Sequence, residues 1–297
     1  MISARSRALL NRFSLASKAL SQRSGERMAT EAGQSVEFYD FRPYQRGDEL
    51  RYVDWKVYAR TGRLYTRLYQ AERNIASHIV LDTSGSMAIG NKAYYARILA
   101  QLLSYAAQQD AVCQVHLFNG DSSRSAHGRS QVLRTWDFIE TAATDEAIRR
   151  PEEDVDAHRP VEAIKRFALT PRFEAGVGLA LIISDLFDEA PLRSALVALR
   201  ARGFDASFLQ VVSRQDLMPD EAPFELVDSE SGEKLSVGAD EARAYRQAVQ
   251  QFIDRTRGAV LQAGFRHTLL RVGDEDQDTL EREAFAALIR EGILVRR

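Results

Sequence analysis

The sequence has very little cysteine and almost no charge excess of either sign. Its single cysteine, Cys113, excludes an intramolecular disulfide and any metal site built from several thiolates. One thiol in a chain of 297 residues is typical of a protein from a reducing compartment. The formal net charge is only -2, so the chain as a whole has no charge that would attract nucleic acid or a membrane surface.

Long hydrophobic runs, internal repeats and low-complexity linkers are also absent. No stretch approaches the roughly 18 apolar residues of a membrane-spanning helix, and the longest run of interest, residues 177–183, is soon followed by Asp185. Arg12 and Lys18 interrupt the apolar residues that a signal peptide would need near the N-terminus. We therefore expect a cytoplasmic protein. With 45% hydrophobic residues the chain can still form a large core.

The most informative stretch is residues 77–87, where an apolar run ends at a carboxylate and hydroxyls then follow at every second position. Residues 79–81 are typical of a strand that is buried on both faces. Asp82, Ser84 and Ser86 then bring one carboxylate and two hydroxyls to a single loop. Mg²⁺ prefers oxygen ligands of this kind. The alternative is an ordinary strand-to-helix loop in which the serines cap the helix.

A second apolar run, residues 179–183, is followed by Ser184 and then by a carboxylate, Asp185. Amphipathic helices are predicted over residues 92–109, 136–141, 160–170, 191–202, 240–263 and 279–290, further strands over residues 112–118, 206–212 and 268–272, and a hairpin over residues 224–227 and 234–237. This alternation predicts an α/β fold with a doubly wound, mostly parallel sheet. In such sheets ligands bind outside the carboxyl ends of the strands. If the two apolar strands are neighbours, Asp82 and Asp185 lie at the same edge.

Aromatic and charged residues are densely interleaved over residues 38–60. We predict two short strands there and just beyond, over residues 52–59 and 64–69, joined around Thr61 and Gly62. Arg51 and Arg60 are expected to pair with Asp48, Asp54 or another carboxylate, and to stack on Trp55 or Tyr58 as they do so. The stretch is then either a partner site or a structural network of ion pairs. The residues singled out for it are Asp48, Arg51, Asp54, Trp55 and Arg60.

Residues 1–28 are basic and carry apolar residues at helical spacing, which predicts an amphipathic helix. We expect Leu9, Leu10 and Phe13 to pack on the body of the protein; binding to a membrane surface or to nucleic acid is the alternative. The predicted domains are a basic N-terminal segment, a β-rich subdomain and a main α/β domain with an acidic hairpin insertion near residues 215–240. They span residues 1–34, 35–75 and 76–297.

Catalytic motifs are incomplete in this sequence. Residues 85–92 nearly match the phosphate-binding pattern G-x-x-x-x-G-K-[ST], but Asn91 stands in the lysine position and Lys92 in the hydroxyl position. A nucleotide hydrolase with a degenerate loop is therefore kept as the alternative function. Neither loop serine has the glycines of a G-x-S-x-G elbow. Cys113 and His116 are expected to be strand residues packed in or beside the core. We expect a protein that is not an enzyme.

Asp82, Ser84, Ser86 and Asp185 together resemble the metal-ion-dependent adhesion site of von Willebrand factor A-type domains. The resemblance implies a doubly wound α/β fold and a Mg²⁺ or Mn²⁺ ion held by these four residues. The family also uses a threonine from a later loop, and His158 stands near that position here. The resemblance therefore implies weak or absent metal binding unless His158 replaces the threonine.

A longer pattern is similar to the bacterial domain of unknown function family 58, over roughly residues 35–295. It consists of Arg42-Pro43-Tyr44, Gly47-Asp48, Arg51, Asp54-Trp55, Ala59-Arg60, the loop after Asp82, and Asp228-Ser229-Glu230-Ser231-Gly232-Glu233. The resemblance implies an adaptor that acts with a MoxR-type AAA+ ATPase and a client protein in chaperone-like maturation of complexes. We expect Asp82→Ala to keep the fold and weaken partner binding, because this carboxylate would act at the surface.

Overall fold

The structure is a computed structural model. It describes residues 1–16, 36–46, 48–71, 76–142, 159–171, 173, 177–217, 224–227, 234–237, 239–273 and 275–297. The chain forms two compact units. The larger unit comprises Met1–Leu20 together with Ile75–Arg297, and the smaller unit comprises Ser21–Asn74.

Most of the predicted helices and strands are confirmed to within a few residues. The helices are α1 (Ala4–Leu10), α2 (Trp55–Thr61), α3 (Lys92–Asp110), α4 (Val132–Ala142), α5 (Pro160–Leu169), α6 (Arg193–Ala201), α7 (Arg214–Leu217), α8 (Ala239–Gln262) and α9 (Gln277–Arg290). The strands are β1 (Phe13–Leu15), β2 (Val36–Pro43), β3 (Tyr65–Ala71), β4 (Ala76–Leu81), β5 (Val112–Leu117), β6 (Leu179–Ser184), β7 (Asp205–Ser213), β8 (Phe224–Val227), β9 (Lys234–Val237), β10 (Arg266–Val272) and β11 (Leu294–Arg296). Within the described ranges, no helix is both long enough and apolar enough to cross a membrane.

Five parallel strands form the central sheet of the larger unit, in the order β10-β7-β6-β4-β5. The chain runs from β4 to β5 on one side and then returns to β6 on the other side of β4. The strand order therefore reverses between β4 and β6, which is where ligands bind in open α/β sheets. The predicted doubly wound α/β fold is confirmed. The predicted hairpin is also present, as an antiparallel pairing of β8 with β9.

Helices cover both faces of this sheet, so β4 is buried on both sides. Ile79 and Leu81 belong to one apolar cluster, together with Leu99 of α3. Val80 points to the opposite face and belongs to a second cluster with Ile164 of α5. This alternation on a strand of continuous apolar residues is the expected pattern for a parallel sheet with two covered faces.

The N-terminal segment packs on the larger unit. Leu10 is fully buried and Phe13 packs against the main core, as expected, whereas Leu9 is exposed. The predicted helix is too long: α1 ends at Leu10, and β1 then pairs with β11 in antiparallel fashion. The rest of the predicted helix, residues 17–28, lies outside the described residues. Ser6 ties α1 to α9 by donating a hydrogen bond of 2.6 Å to the buried carboxylate of Glu281.

The smaller unit contains the antiparallel pair β2–β3 and the helix α2. The strand predicted over residues 52–59 is wrong, because most of it forms α2. Asp54 caps this helix by accepting hydrogen bonds from the backbone N–H groups of Lys56 (2.8 Å) and Val57 (3.0 Å). Gly62 ends it with a left-handed φ of 67°. Alternating side chains indicated a strand, but the Asp cap and the Gly stop determine a helix.

Candidate metal site at the carboxyl ends of two parallel strands

Asp82 follows β4 directly and is held rigidly at the edge of the sheet. Its backbone N–H donates to the carbonyl of Ile183 at 2.9 Å. Its carboxylate accepts the backbone N–H of Ser84 at Oδ1, at 2.8 Å, and the hydroxyl of Ser184 at Oδ2 in a short hydrogen bond. Asp82 is only 1% exposed. The expectation that this carboxylate acts at the surface is therefore wrong.

The two loop hydroxyls that follow Asp82 lie next to each other. Ser84 Oγ and Ser86 Oγ are 3.1 Å apart. Ser84 precedes a short 3₁₀ turn, Gly85–Ala88, but its side chain makes no capping hydrogen bond, so the alternative of a serine-capped helix start is not supported. The buried hydroxyl of Thr83 finds no hydrogen-bond partner among the described residues. The loop thus contains more oxygen groups than its own folding uses.

Asp185 lies beside this loop, as the strand pattern predicts. It follows β6, which pairs with β4 along its length, and its side chain is fully buried. Oδ1 accepts the backbone N–H of Phe187 at 3.1 Å, and Oδ2 accepts a hydrogen bond of 2.8 Å from Lys92 Nζ. Leu186, which follows Asp185, has a positive φ of 60°, a strained conformation that tends to occur at functional sites.

Lys92 also lies at this edge, although the sequence pattern indicated a role for it only in the degenerate phosphate-binding loop. It begins α3, is fully buried, and places Nζ 2.8 Å from Asp185 and 3.0 Å from Oδ2 of Asp216 in α7. Burial alone would lower the pKa of Lys92, but the charges of Asp185 and Asp216 outweigh it and raise the pKa above its ordinary value. Asp216 is fixed in turn by the backbone N–H and hydroxyl of Ser213, at 2.7 and 2.8 Å. Lys92 is therefore an internal cation that joins the ends of β6 and β7.

The backbone before Lys92 also has a special conformation. Gly90 and Asn91 have left-handed φ values of 59° and 58°. A Cβ atom at Gly90 would lie 2.6 Å from Cβ of Ser213, so only glycine fits there. These two residues direct the side chain of Lys92 into the protein.

Negative charge exceeds positive charge in this buried cluster. Lys92 pairs with two carboxylates, those of Asp185 and Asp216, and the buried carboxylate of Asp82 is close enough to Asp185 to feel its charge. Burial, and then the charge of Asp185, raise the pKa of Asp82 to about 7. When all four groups are ionised, two negative charges remain without a partner. A divalent cation or a bound proton would relieve this excess.

The residues present fit a hard divalent ion. Mg²⁺ binds oxygen ligands at about 2.1 Å in octahedral geometry, which places neighbouring ligands about 3 Å apart; the Ser84 and Ser86 hydroxyls have this spacing. The described part of the chain holds no cluster of three or more His, Cys, Asp or Glu side chains arranged around a metal. Any ion here would therefore depend on the hydroxyls. His158 lies outside the described residues, and metal binding remains a prediction.

The degenerate phosphate-binding loop does not present its lysine to a ligand. Lys92 is buried against two carboxylates, whereas a phosphate-binding lysine must reach the phosphates. Cys113 and His116 are residues of the strand β5, as predicted: Cys113 is fully buried in the core and His116 is partly buried. His116 Nε2 lies 3.0 Å from Nδ1 of His78 on the neighbouring strand.

The residues singled out in the smaller unit divide into two groups. Asp48 and Asp54 belong to a structural network: Asp48 pairs with Arg42 at 2.6 Å, and Asp54 pairs with Arg67 at 2.9 Å. The hydrogen bond from Arg67 lowers the pKa of Asp54 below its ordinary value. Asp48 also accepts the Thr66 hydroxyl at 3.0 Å. These pairs join β2, β3 and the start of α2.

Arg51, Trp55 and Arg60 lie outside this network. Arg51 pairs with Glu49, another carboxylate of this stretch, as expected, but it stacks over the ring of Tyr52 and not over that of Trp55 or Tyr58. Trp55 and Arg60 are both exposed. The ion pairs of Asp48 and Asp54 favour a structural role for these two carboxylates.

Comparison with known proteins gives a family but no activity. A family model described as "Protein of unknown function DUF58" matches residues 40–258. The uncharacterized protein Mb1516 of Mycobacterium bovis and the uncharacterized protein Rv1480 of Mycobacterium tuberculosis are each 26% identical over 223 residues, covering 70% of this chain. The match spans 65% of the length of these relatives.

Among solved structures, the pilus adhesin SpaC from Lactobacillus rhamnosus GG in its open conformation matches with a TM-score of 0.38 and 9% identity. The match covers 76% of this chain and 31% of the adhesin. A likeness at this level carries no argument about function. The family model, by contrast, covers most of the chain, and the chain belongs to the DUF58 family.

Proposed function

We propose that this protein is a non-enzymatic adaptor that binds a partner protein at the edge formed by Asp82, Ser84 and Ser86. The observation that carries the proposal is the buried carboxylate cluster, which has two more negative charges than positive ones when all its groups are ionised and which lies beside two adjacent hydroxyls. It is found at the point where the strand order of the sheet reverses. That position favours a ligand site.

The residues of this edge have different roles in the proposal. Ser84 and Ser86 offer hydroxyl ligands, and Asp82 supplies negative charge held in place by Ser184. Asp185 also contributes charge, and its carboxylate oxygens, like those of Asp82, already accept hydrogen bonds within the protein. A bound Mg²⁺ or Mn²⁺ would leave a coordination position for an Asp or Glu side chain of the partner. The proposed partner is a MoxR-type AAA+ ATPase or its client, in the cytoplasm. This choice of partner rests on the family resemblance.

The first test is calorimetric titration of the full chain with Mg²⁺ and with Mn²⁺. We expect Asp82→Asn to weaken binding of the ion by at least about tenfold, because the variant removes charge but keeps the shape of the side chain. The control is Asp254→Asn, an exposed carboxylate of α8, which should bind as the wild type does. The metal-dependent mechanism fails if the wild type binds neither ion or if Asp82→Asn binds equally well.

Partner binding is tested with a purified MoxR-type AAA+ ATPase, with Mg²⁺ present. Pull-down by the wild type and loss of pull-down by a folded Asp82→Asn variant are expected. Retention of the ATPase at wild-type strength by that variant would overturn the proposed role of this edge.

The alternative function, a nucleotide hydrolase, predicts a different thermal response. A ligand present at about 100 times its Kd stabilises the folded state by roughly 2.7 kcal/mol, so a phosphate-binding loop should give a clear rise in Tm with Mg²⁺-ATP. We expect no rise beyond that caused by Mg²⁺ alone, because Lys92 is held by Asp185 and Asp216. Differential scanning calorimetry with and without ATP distinguishes the two functions.

A further inference from the structure

Helix α2 of the smaller unit exposes a pair of large aromatic side chains. Trp55 is 54% exposed and Tyr58 is 43% exposed. Their ring centroids are 6.2 Å apart at an angle of 87°, an edge-to-face arrangement. Single exposed apolar residues need no explanation, but an edge-to-face Trp–Tyr pair on one helix face is typical of the centre of a protein interface.

The aromatic pair is held on a rigid support. Asp54 caps the first turn of α2 and also pairs with Arg67 of β3, at 2.9 Å. Gly62 ends the helix one residue after Thr61. A fixed helix loses little conformational freedom when a ligand binds to it, so these rings are prepared for contact.

The charges around the pair are strongly unequal. The three acidic residues of the segment 41–67 are all paired within this unit: Asp48 with Arg42, Glu49 with Arg51 and Asp54 with Arg67. Four exposed basic residues make no ion pair with any described residue. They are Arg46, Lys56, Arg60 and Arg63. Two of them, Lys56 and Arg60, belong to the same short helix as the aromatic pair, so α2 itself offers unpaired positive charge.

We propose that Trp55 and Tyr58, flanked by Lys56 and Arg60, bind an acidic peptide segment of a partner protein, in which apolar side chains alternate with Asp or Glu. The rings would contact the apolar side chains, and the basic groups would form charge-assisted hydrogen bonds with the carboxylates. A nucleic acid fits less well, because its affinity depends on neutralising many phosphates and the whole chain has a net charge of -2. This surface shares no residue with the edge at Asp82 and does not rest on the proposed metal.

The test uses the full chain and a short peptide of alternating Glu and Leu, with a Lys–Leu peptide as its matched control. The chain has two tryptophans, and the other one, Trp136, is only 1% exposed. A change of emission on adding the peptide therefore reports on Trp55. Saturable binding of the Glu–Leu peptide, weakened by salt, is expected, with no binding of the Lys–Leu peptide.

Variants identify the surface, with affinity measured by anisotropy of a labelled peptide. Trp55→Ala and Arg60→Glu should each bind at least about tenfold more weakly. Leu133→Ala and Arg134→Glu make similar changes at exposed positions of α4 and should bind as the wild type does, as should Asp82→Asn. Circular dichroism confirms that each variant is folded.

The proposal is overturned if the Glu–Leu peptide does not bind, if the Lys–Leu peptide binds equally well, or if Trp55→Ala keeps full affinity. Single-stranded DNA and phosphatidylserine vesicles are tested with the same variants. If either of these binds through Trp55 while the acidic peptide does not, the surface recognises a different class of ligand and the proposal is wrong. Loss of peptide binding in Asp82→Asn would contradict the independence of the two sites.

Discussion

Replacing Lys92 by Met is expected to destabilise the protein by about 3–5 kcal/mol, because it leaves buried carboxylates without their cation. Lys92 Nζ contacts both Asp185 and Asp216, and its side chain is completely shielded from water. Met has a similar length and fills the same space, so the loss comes from charge rather than from a cavity. Urea unfolding followed by circular dichroism measures it.

The matched control for Lys92 is Lys165→Met, which removes a surface pair with Glu162 and should cost less than about 1 kcal/mol. Combining Lys92→Met with Asp216→Asn removes one of the orphaned charges. The double variant should therefore be less destabilised than the sum of the two single variants, by at least about 1 kcal/mol. A Lys92→Met protein within about 1 kcal/mol of the wild type would show that the cluster does not depend on this cation.

The sequence alone predicted the sheet edge because its strands are continuous apolar runs. Residues 79–81 and 179–183 carry no polar side chain, so their burial on both faces and their termination at Asp82 and Asp185 followed from composition. Neighbouring parallel strands then place both carboxylates at one edge. The doubly wound α/β fold and the adjacent carboxylates were predictable for this reason.

The environment of those carboxylates was harder to predict, because it depends on long-range contacts. Lys92 lies at positions i-3, i-4 and i-7 from Tyr95, Ala96 and Leu99, which form the buried face of α3. Helical periodicity therefore contained a signal for an inward-pointing lysine. Its partner Asp216 gave no such signal, since α7 is a single turn after β7. Only the folded sheet brings these residues together.

The smaller unit shows how capping outweighs an alternating pattern. Residues 52–59 alternate as a strand would, yet an Asp cap at Asp54 and a glycine stop at Gly62 delimit the helix α2. The helix would have been predicted if the Asp cap and the glycine stop had been given more weight than the alternating pattern. The correction matters for function, because the helix brings Trp55 and Tyr58 to one face, whereas a strand would place residues three apart on opposite faces.

Asp82→Asn is expected to change the pH dependence of stability. Burial and the charge of Asp185 raise the pKa of Asp82 from 3.8 to about 7 in the folded state. Between these values the folded state keeps a proton that the unfolded state has released. The contribution of Asp82 to stability is therefore complete below pH 4 and is lost as the pH rises to about 7, by up to about 1.4 kcal/mol per pH unit. The amide side chain of the variant cannot ionise, so the variant should lack this loss.

The difference between wild type and variant is the quantity to measure, because other groups titrate in the same range. Burial, and then the neighbouring His78, lower the pKa of His116 to about 3, so this group makes stability rise with pH, which is the opposite sign. Subtracting the Asp82→Asn curve from the wild-type curve cancels that contribution. The free energy of unfolding of the wild type should therefore fall relative to that of the variant as the pH rises toward 7. Saturating Mg²⁺ should make this fall smaller, because the ion compensates the charge of the ionised carboxylate. If the free energies of unfolding of the two proteins change with pH in parallel, Asp82 is ionised over the whole range. If Mg²⁺ leaves the difference between the two proteins unchanged, the ion does not act at this carboxylate.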